Sequence, residues 1–181
     1  MRLDGKRIAV LVDELYEDLE LWYPVLRLRE AGARADILGT GKAEYGSKYG
    51  YPAPVDGNVA DANAADYDGV IIPGGFAPDK MRRVDHLLEF VRQIDAAGKL
   101  VAFICHGGWV PISAGIVKGR RVTSVDAIRD DLVNAGAEWW DEAVVRDGHM
   151  ITSRRPPDLP DFAAEILAVL SEGAQPQGER A

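Results

Sequence analysis

The segment Lys99–Gly108, KLVAFICHGG, decides how this chain is read. Leu100 to Ile104 are apolar at every position, and Cys105, His106, Gly107 and Gly108 follow without a spacer. A run with no polar alternation reads as a strand buried on both faces, the habit of parallel strands covered by helices. Beyond the glycines, Trp109, Ile112 and Ile116 recur at helical spacing. The chain therefore passes from buried strand to helix through a sharp turn, with its one cysteine at the bend.

Outward from that strand the pattern repeats. Ile8–Val12 (IAVLV) is a further continuous apolar run and reads as the first strand, Tyr67–Pro73 (YDGVIIP), ending in Gly74 and Gly75, as the third, and Arg34–Leu38 as a short second one. Between them lie helical periods: Leu21, Val25 and Leu28 with a stop at Gly32 and a kink expected at Pro24, then Val84 to Ala97 closed by Gly98. Asp126 to Ala135 before Gly136 reads as another helix, and Phe162, Ile166, Val169 and Leu170 mark the last. The Gly- and Tyr-rich stretch 39–56 predicts a hairpin or loop, and Asp147-Gly148 between Val144–Arg146 and His149–Thr152 predicts a tight antiparallel hairpin. Strands alternating with helices imply βαβ units. The expected fold is α/β: a flavodoxin-like doubly wound sandwich, with a mostly parallel central sheet, helices on both faces and a small antiparallel hairpin. One domain is expected over 5–172, with 173–181, which lose the apolar period, as a flexible tail.

Composition narrows the function classes. A formal net charge of -8 over 181 residues, with no Lys/Arg block, excludes charge-driven binding of nucleic acid. Met1 to Lys6 are polar and no apolar run approaches bilayer length, so neither a signal peptide nor a membrane partner is expected and cytoplasm is the default compartment. A lone cysteine makes no internal disulfide and no thiolate metal cage, and neither a G-x-G-x-x-G fingerprint nor a P-loop is present. No metal and no cofactor are expected.

In doubly wound sheets ligands bind beyond the carboxyl ends of the strands. Three separate positions meet that edge: Glu14 after the first strand, Gly74-Gly75 after the third, Cys105 after the fourth. A cysteine at a strand-to-helix elbow presents its sulfur at the turn, where the helix dipole is expected to lower the thiol pKa, and Gly107 two residues on relieves crowding. The amides of Gly74, Gly75 and His106 are placed to hold an oxyanion, and the His106 imidazole to move a proton. Glu14 is expected to be protonated and to donate to the sulfur. Glu17, Asp18 and Glu20 read as helix-start acids on a solvated face, and His86 and His149 as structural. The plain alternatives are a buried strand-end cysteine, a surface histidine and turn-forming glycines.

Five stretches in order carry a family resemblance: DELYEDLELWYP (13–24), IIPGGFAPD (71–79), AFICHGG (102–108), TSVDAIRDDLVNAGAEWWDE (123–142) and ITSRRPPDLPDF (151–162). From about Arg7 to Leu170 the chain resembles the ThiJ/PfpI-type intracellular proteases and stress-response deglycases of the class I glutamine amidotransferase-like superfamily. The resemblance implies that Cys105 is the nucleophile, Glu14 the carboxyl beside it, and Gly75 with His106 the oxyanion donors. It implies self-association as a dimer or hexamer in which a carboxylate of the neighbouring subunit, here Asp79, completes a triad with His106. Family members often carry Glu there. Phe103 and Gly108 also depart from the family pattern, where a smaller residue and proline are common. The activity implied is a cysteine-dependent hydrolase acting on glyoxal or methylglyoxal adducts, by a deglycase or glutathione-independent glyoxalase reaction. The competing readings are a peptidase acting on peptides and a non-catalytic redox sensor or chaperone-like oligomer with an oxidisable cysteine.

Overall fold

A computed structural model describes residues 2–172. In chain order the elements are β1 (Arg7–Leu11), α1 (Asp18–Glu30), β2 (Arg34–Gly39), β3 (Glu44–Tyr45), β4 (Ala53–Pro54), β5 (Gly57–Asn58), β6 (Gly69–Ile72), α2 (Ala77–Met81), α3 (Asp85–Ala96) and β7 (Leu100–Ile104). They continue with α4 (Trp109–Ala114), β8 (Arg121–Val122), α5 (Arg129–Asn134), β9 (Glu138–Trp139), β10 (Val144–Asp147), β11 (Met150–Ser153) and α6 (Leu159–Glu172). Seven strands form one sheet in the order β10-β11-β7-β6-β1-β2-β5. All pairs are parallel except β10 with β11, which close antiparallel around Asp147 and Met150. The predicted flavodoxin-like α/β sandwich is the observed one.

The apolar runs explain the sheet's position. Every residue of β6 and β7 is buried, as double coverage by helices requires. The chain steps from β1 to β2 in one direction along the sheet and from β6 to β7 in the other. Right-handed crossovers then put α1 and α3 on opposite faces. α6 packs with α1, and α4 with α3. The inward stripes of α3 (Leu87, Phe90, Val91, Ile94) and α6 (Phe162, Ala163, Ile166, Leu170) fill the two cores, each large side chain contributing about 2 kcal/mol of burial. Because the connections diverge between β1 and β6, a crevice opens there at the carboxyl edge.

Pro24 is buried within α1, which continues past it. Some expectations change. The helix expected over 126–135 is a 3-10 turn, Asp126–Ile128, followed by the shorter α5. The segments on either side of it are drawn into a parallel two-residue ladder, β8 with β9, which period alone does not reveal. The stretch 39–56 carries the short antiparallel β3–β4 ladder. β5, just past that stretch, adds a parallel edge strand that the sequence pattern does not announce. The tail expected at 173–181 lies outside the described residues. Among the described residues no helix is long and apolar enough to cross a membrane.

Candidate active site

Cys105 sits at φ 59, one of two non-glycine residues with positive φ among those described. This is the elbow. The backbone leaves β7, bends through the left-handed region at Cys105, and continues as a 3-10 turn, Cys105–Gly108, into the six-residue α4. Holding a side-chain-bearing residue there costs about 1–2 kcal/mol, and surrounding contacts sustain it. Gly107 is one: a Cβ on it would lie 2.4 Å from the Ile72 carbonyl oxygen, so the elbow presses against β6. That close packing, inside the fold, is where the structure puts Gly107.

The second wall is the Pro-Gly-Gly turn after β6. Gly75 has φ +80, and a Cβ there would come within 2.5 Å of the Leu15 carbonyl and 2.6 Å of the Glu17 nitrogen. Tyr16 bridges to Gly75, Phe76 N–H donates to the Leu15 carbonyl at 2.9 Å, and Glu17 N–H to the Gly74 carbonyl at 3.2 Å. The loop after β1 and the loop after β6 are thereby one rigid unit. The backbone N–H groups of His106 and Gly75 lie on the Cys105 side of the site and act to lower its thiol pKa. Gly74 N–H does not. It donates to Glu20 Oε2 at 2.7 Å, so it is spent before any ligand arrives.

The carboxyl beside the cysteine is Glu20, and this corrects the expectation for Glu14. Glu14 holds Lys42 Nζ at 2.6 Å and accepts from Gly46 N–H at 3.0 Å. With Lys42 beside it, its carboxyl titrates below the usual range. Glu20, read from sequence as solvated, is 0% exposed. It lies on the helical row of Pro24 and Leu28, which the packing turns inward. An acid on that stripe was the available signal. Burial first, and the Glu17 charge second, push its carboxyl up to about 8, so it is protonated at neutral pH. Its Oε1 is buried with no hydrogen-bond partner among the described residues. The Cys105 thiol is among the groups that its carboxyl interacts with.

Cys105 itself is pushed up to about 12, by burial and then by the charge Glu20 carries when ionised, against the lowering effect of the His106 and Gly75 amides. At neutral pH, where Glu20 keeps its proton, the burial contribution remains and opposes the depression expected of the elbow. Deprotonation therefore needs an acceptor. His106 Nδ1 lies 3.3 Å from Sγ, and burial, then the Lys48 charge, lower the imidazole pKa, leaving it neutral and able to accept at neutral pH. Its ring stands edge-on to Trp109, at 5.2 Å between centroids. No carboxylate of the described residues bonds to it. Asp79 is 60% exposed at its side chain and pairs with Arg83 at 3.1 Å, so within one chain it does not complete a triad. His149 bonds to Asp95 at 2.7 Å at the far end of the sheet. Among the described residues no cluster of His, Cys, Asp and Glu is arranged to hold a metal ion.

Residues 6–169 match the DJ-1/PfpI family. Deglycase PfpI of Pyrococcus furiosus is 41% identical over 91% of this chain and 99% of its own. General stress protein 18 of Bacillus subtilis is 37% identical over 93% and 99%. A solved two-domain protein from Anabaena variabilis, with DJ-1/ThiJ/PfpI-like and ferritin-like domains, superposes with a TM-score of 0.90 at 41% identity, covering 97% of this chain and 52% of that one.

Proposed function

Since the chain belongs to the DJ-1/PfpI family, we propose that it is a stress-response cysteine hydrolase acting on adducts of glyoxal and methylglyoxal. The observation that carries this reading is the junction of three groups at one elbow: a neutral thiol, a neutral imidazole 3.3 Å away, and a buried carboxyl that keeps its proton. Sγ takes the place of the amine or thiol at the hemiaminal or hemithioacetal carbon of the adduct: the bond to the repaired molecule breaks as the new C–S bond forms, and the thiol proton passes to His106 Nδ1, leaving a hemithioacetal on Cys105 beside the remaining carbonyl. The N–H groups of His106 and Gly75 receive the negative charge that develops on oxygen, and protonated Glu20 donates to the same region. The amine or thiol of the repaired molecule departs with a proton. A proton shift between the two adjacent carbons, handled by His106, turns the hemithioacetal into a thioester, and water hydrolyses it to lactate or glycolate with return of the thiol.

Self-association belongs to the same proposal. The imidazole has no carboxylate partner among the described residues, and Leu15, Leu19, Tyr49 and Phe76 are large, apolar and exposed. A second copy presenting Asp79 to His106, in a dimer or hexamer, would cover apolar surface and supply the missing orienting carboxylate.

The test is to incubate the protein and Cys105→Ala with methylglyoxal, a glycated peptide and fluorescent casein. Lactate release that disappears in the variant supports the proposal. Casein cleavage without lactate replaces it with a peptidase using the same oxyanion donors, and peroxide-dependent mass gain at Cys105 without turnover replaces it with a sensor. Lactate release should rise with pH as the lowered His106 pKa is passed and fall as Glu20 ionises near pH 8.

A further inference from the structure

We propose that Glu17 is a positioning residue that holds the shared proton on Glu20, so that the carboxyl beside Cys105 meets the sulfur as a donor and not as an anion. The inference rests on the reading of Cys105 as the reactive group. Its basis is a closed cycle of hydrogen bonds. Glu17 Oε2 accepts the Glu20 N–H at 3.0 Å as the N-cap of α1, Glu17 N–H donates to the Gly74 carbonyl at 3.2 Å, and Gly74 N–H donates to Glu20 Oε2 at 2.7 Å. Helix caps are ordinarily Ser, Thr, Asp or Asn. Here a longer acid folds back and places a carboxylate at the helix start, 7% exposed, three residues before a second acid that is 0% exposed.

Among the described residues neither carboxyl is in an ion pair. The groups facing Glu20 are Glu17 on its own helix, the Gly74 N–H from the turn after β6, the Cys105 thiol from the elbow, and the more distant charge of exposed Lys48. Two neighbouring buried carboxyls do not both ionise. The Glu17 carboxyl is tied at the helix start by the Glu20 N–H, and its charge acts on Glu20 in the direction that favours a proton there.

The sign of the effect makes the test sharp. Removing a negative charge near a thiol should by itself speed its ionisation. If Glu17 acts through Glu20, its removal lets Glu20 ionise earlier, and that closer charge opposes the sulfur. Glu17→Gln keeps an oxygen for the cap and loses only the charge. Iodoacetamide alkylation of Cys105, followed by mass spectrometry from pH 6 to 9, is expected to slow on the order of three- to ten-fold between pH 7 and 8. In a Glu20→Gln background the same substitution should no longer slow alkylation, and Glu17→Asp should keep the parent profile. Faster or unchanged alkylation in Glu17→Gln overturns the proposal, as does equal slowing in the Glu20→Gln background or a loss in Glu17→Asp as large as in Glu17→Gln. Alkylation needs no substrate, so a protein that shows this pattern yet releases no lactate refutes the proposed function and not this inference.

Discussion

Asp36 on β2 and Glu20 on α1 are both buried carboxyl groups, 4% and 0% exposed, yet they are held in opposite states. Burial would raise Asp36, but Arg34 Nε at 2.7 Å and Arg7 Nε at 2.7 Å outweigh it, and the carboxyl is lowered from its ordinary value. Glu20 receives one backbone N–H, no cation, and the repulsion of Glu17, and it is raised to about 8. Depth of burial does not separate these sites. The counter-charge does: supplied at the structural end of the sheet, withheld at the edge where Cys105 sits. A carboxyl kept neutral at a cost in stability is the mark of a site shaped for chemistry.

The comparison can be broken or sharpened in four steps of decreasing size. The Glu20 side exists only while the two loops interlock, and Gly75→Ala inserts a Cβ into backbone at positive φ. It should cost about 4 kcal/mol or more in urea unfolding and remove the selective reactivity of Cys105. Asp36→Asn should cost about 2–3 kcal/mol at pH 7, since Arg7 and Arg34 lose their shared anion, while the alkylation profile stays as it was. Glu20→Gln should stabilise. Between the ordinary carboxylate value of 4.5 and about 8 the folded chain retains a proton that the unfolded chain has released, so stability falls with pH across that window. Thermal unfolding should show the variant level with the parent near pH 4.5 and increasingly ahead of it as pH rises to 8. Its Cys105 profile should also lose the break near pH 8. Glu14→Ala should do least, under about 1 kcal/mol for an exposed pair with Lys42, with alkylation against pH unchanged; a shifted profile there would return Glu14 to the site.

Much of the fold was legible because burial on both faces leaves its own signature. Continuous apolar runs at 8–12, 70–73 and 100–104 have no alternative as amphipathic helices, and the glycines at 74–75 and 107–108 mark the edge where the chain turns. Cys105 was legible for the same reason. The two-residue ladders were not, since pairing of β8 with β9 or β5 with β2 depends on neighbours far along the chain. Glu20 was misjudged beside Glu17 and Asp18 as a member of an acidic helix start. Its place on the row of Pro24 and Leu28 argued otherwise, yet only the packing of α1 shows which row faces inward.

Taken alone, the amino-acid order determined the strand-helix alternation, the elbow cysteine and the paired glycines, because these rest on local periodicity and on conformations few residues adopt. Only the tertiary structure decided which of several acids meets the sulfur, that Gly74 is committed to Glu20, and that the thiol is raised, not lowered. Those outcomes depend on distances between separate elements and on solvent being excluded from among them, and electrostatic energy is set by both.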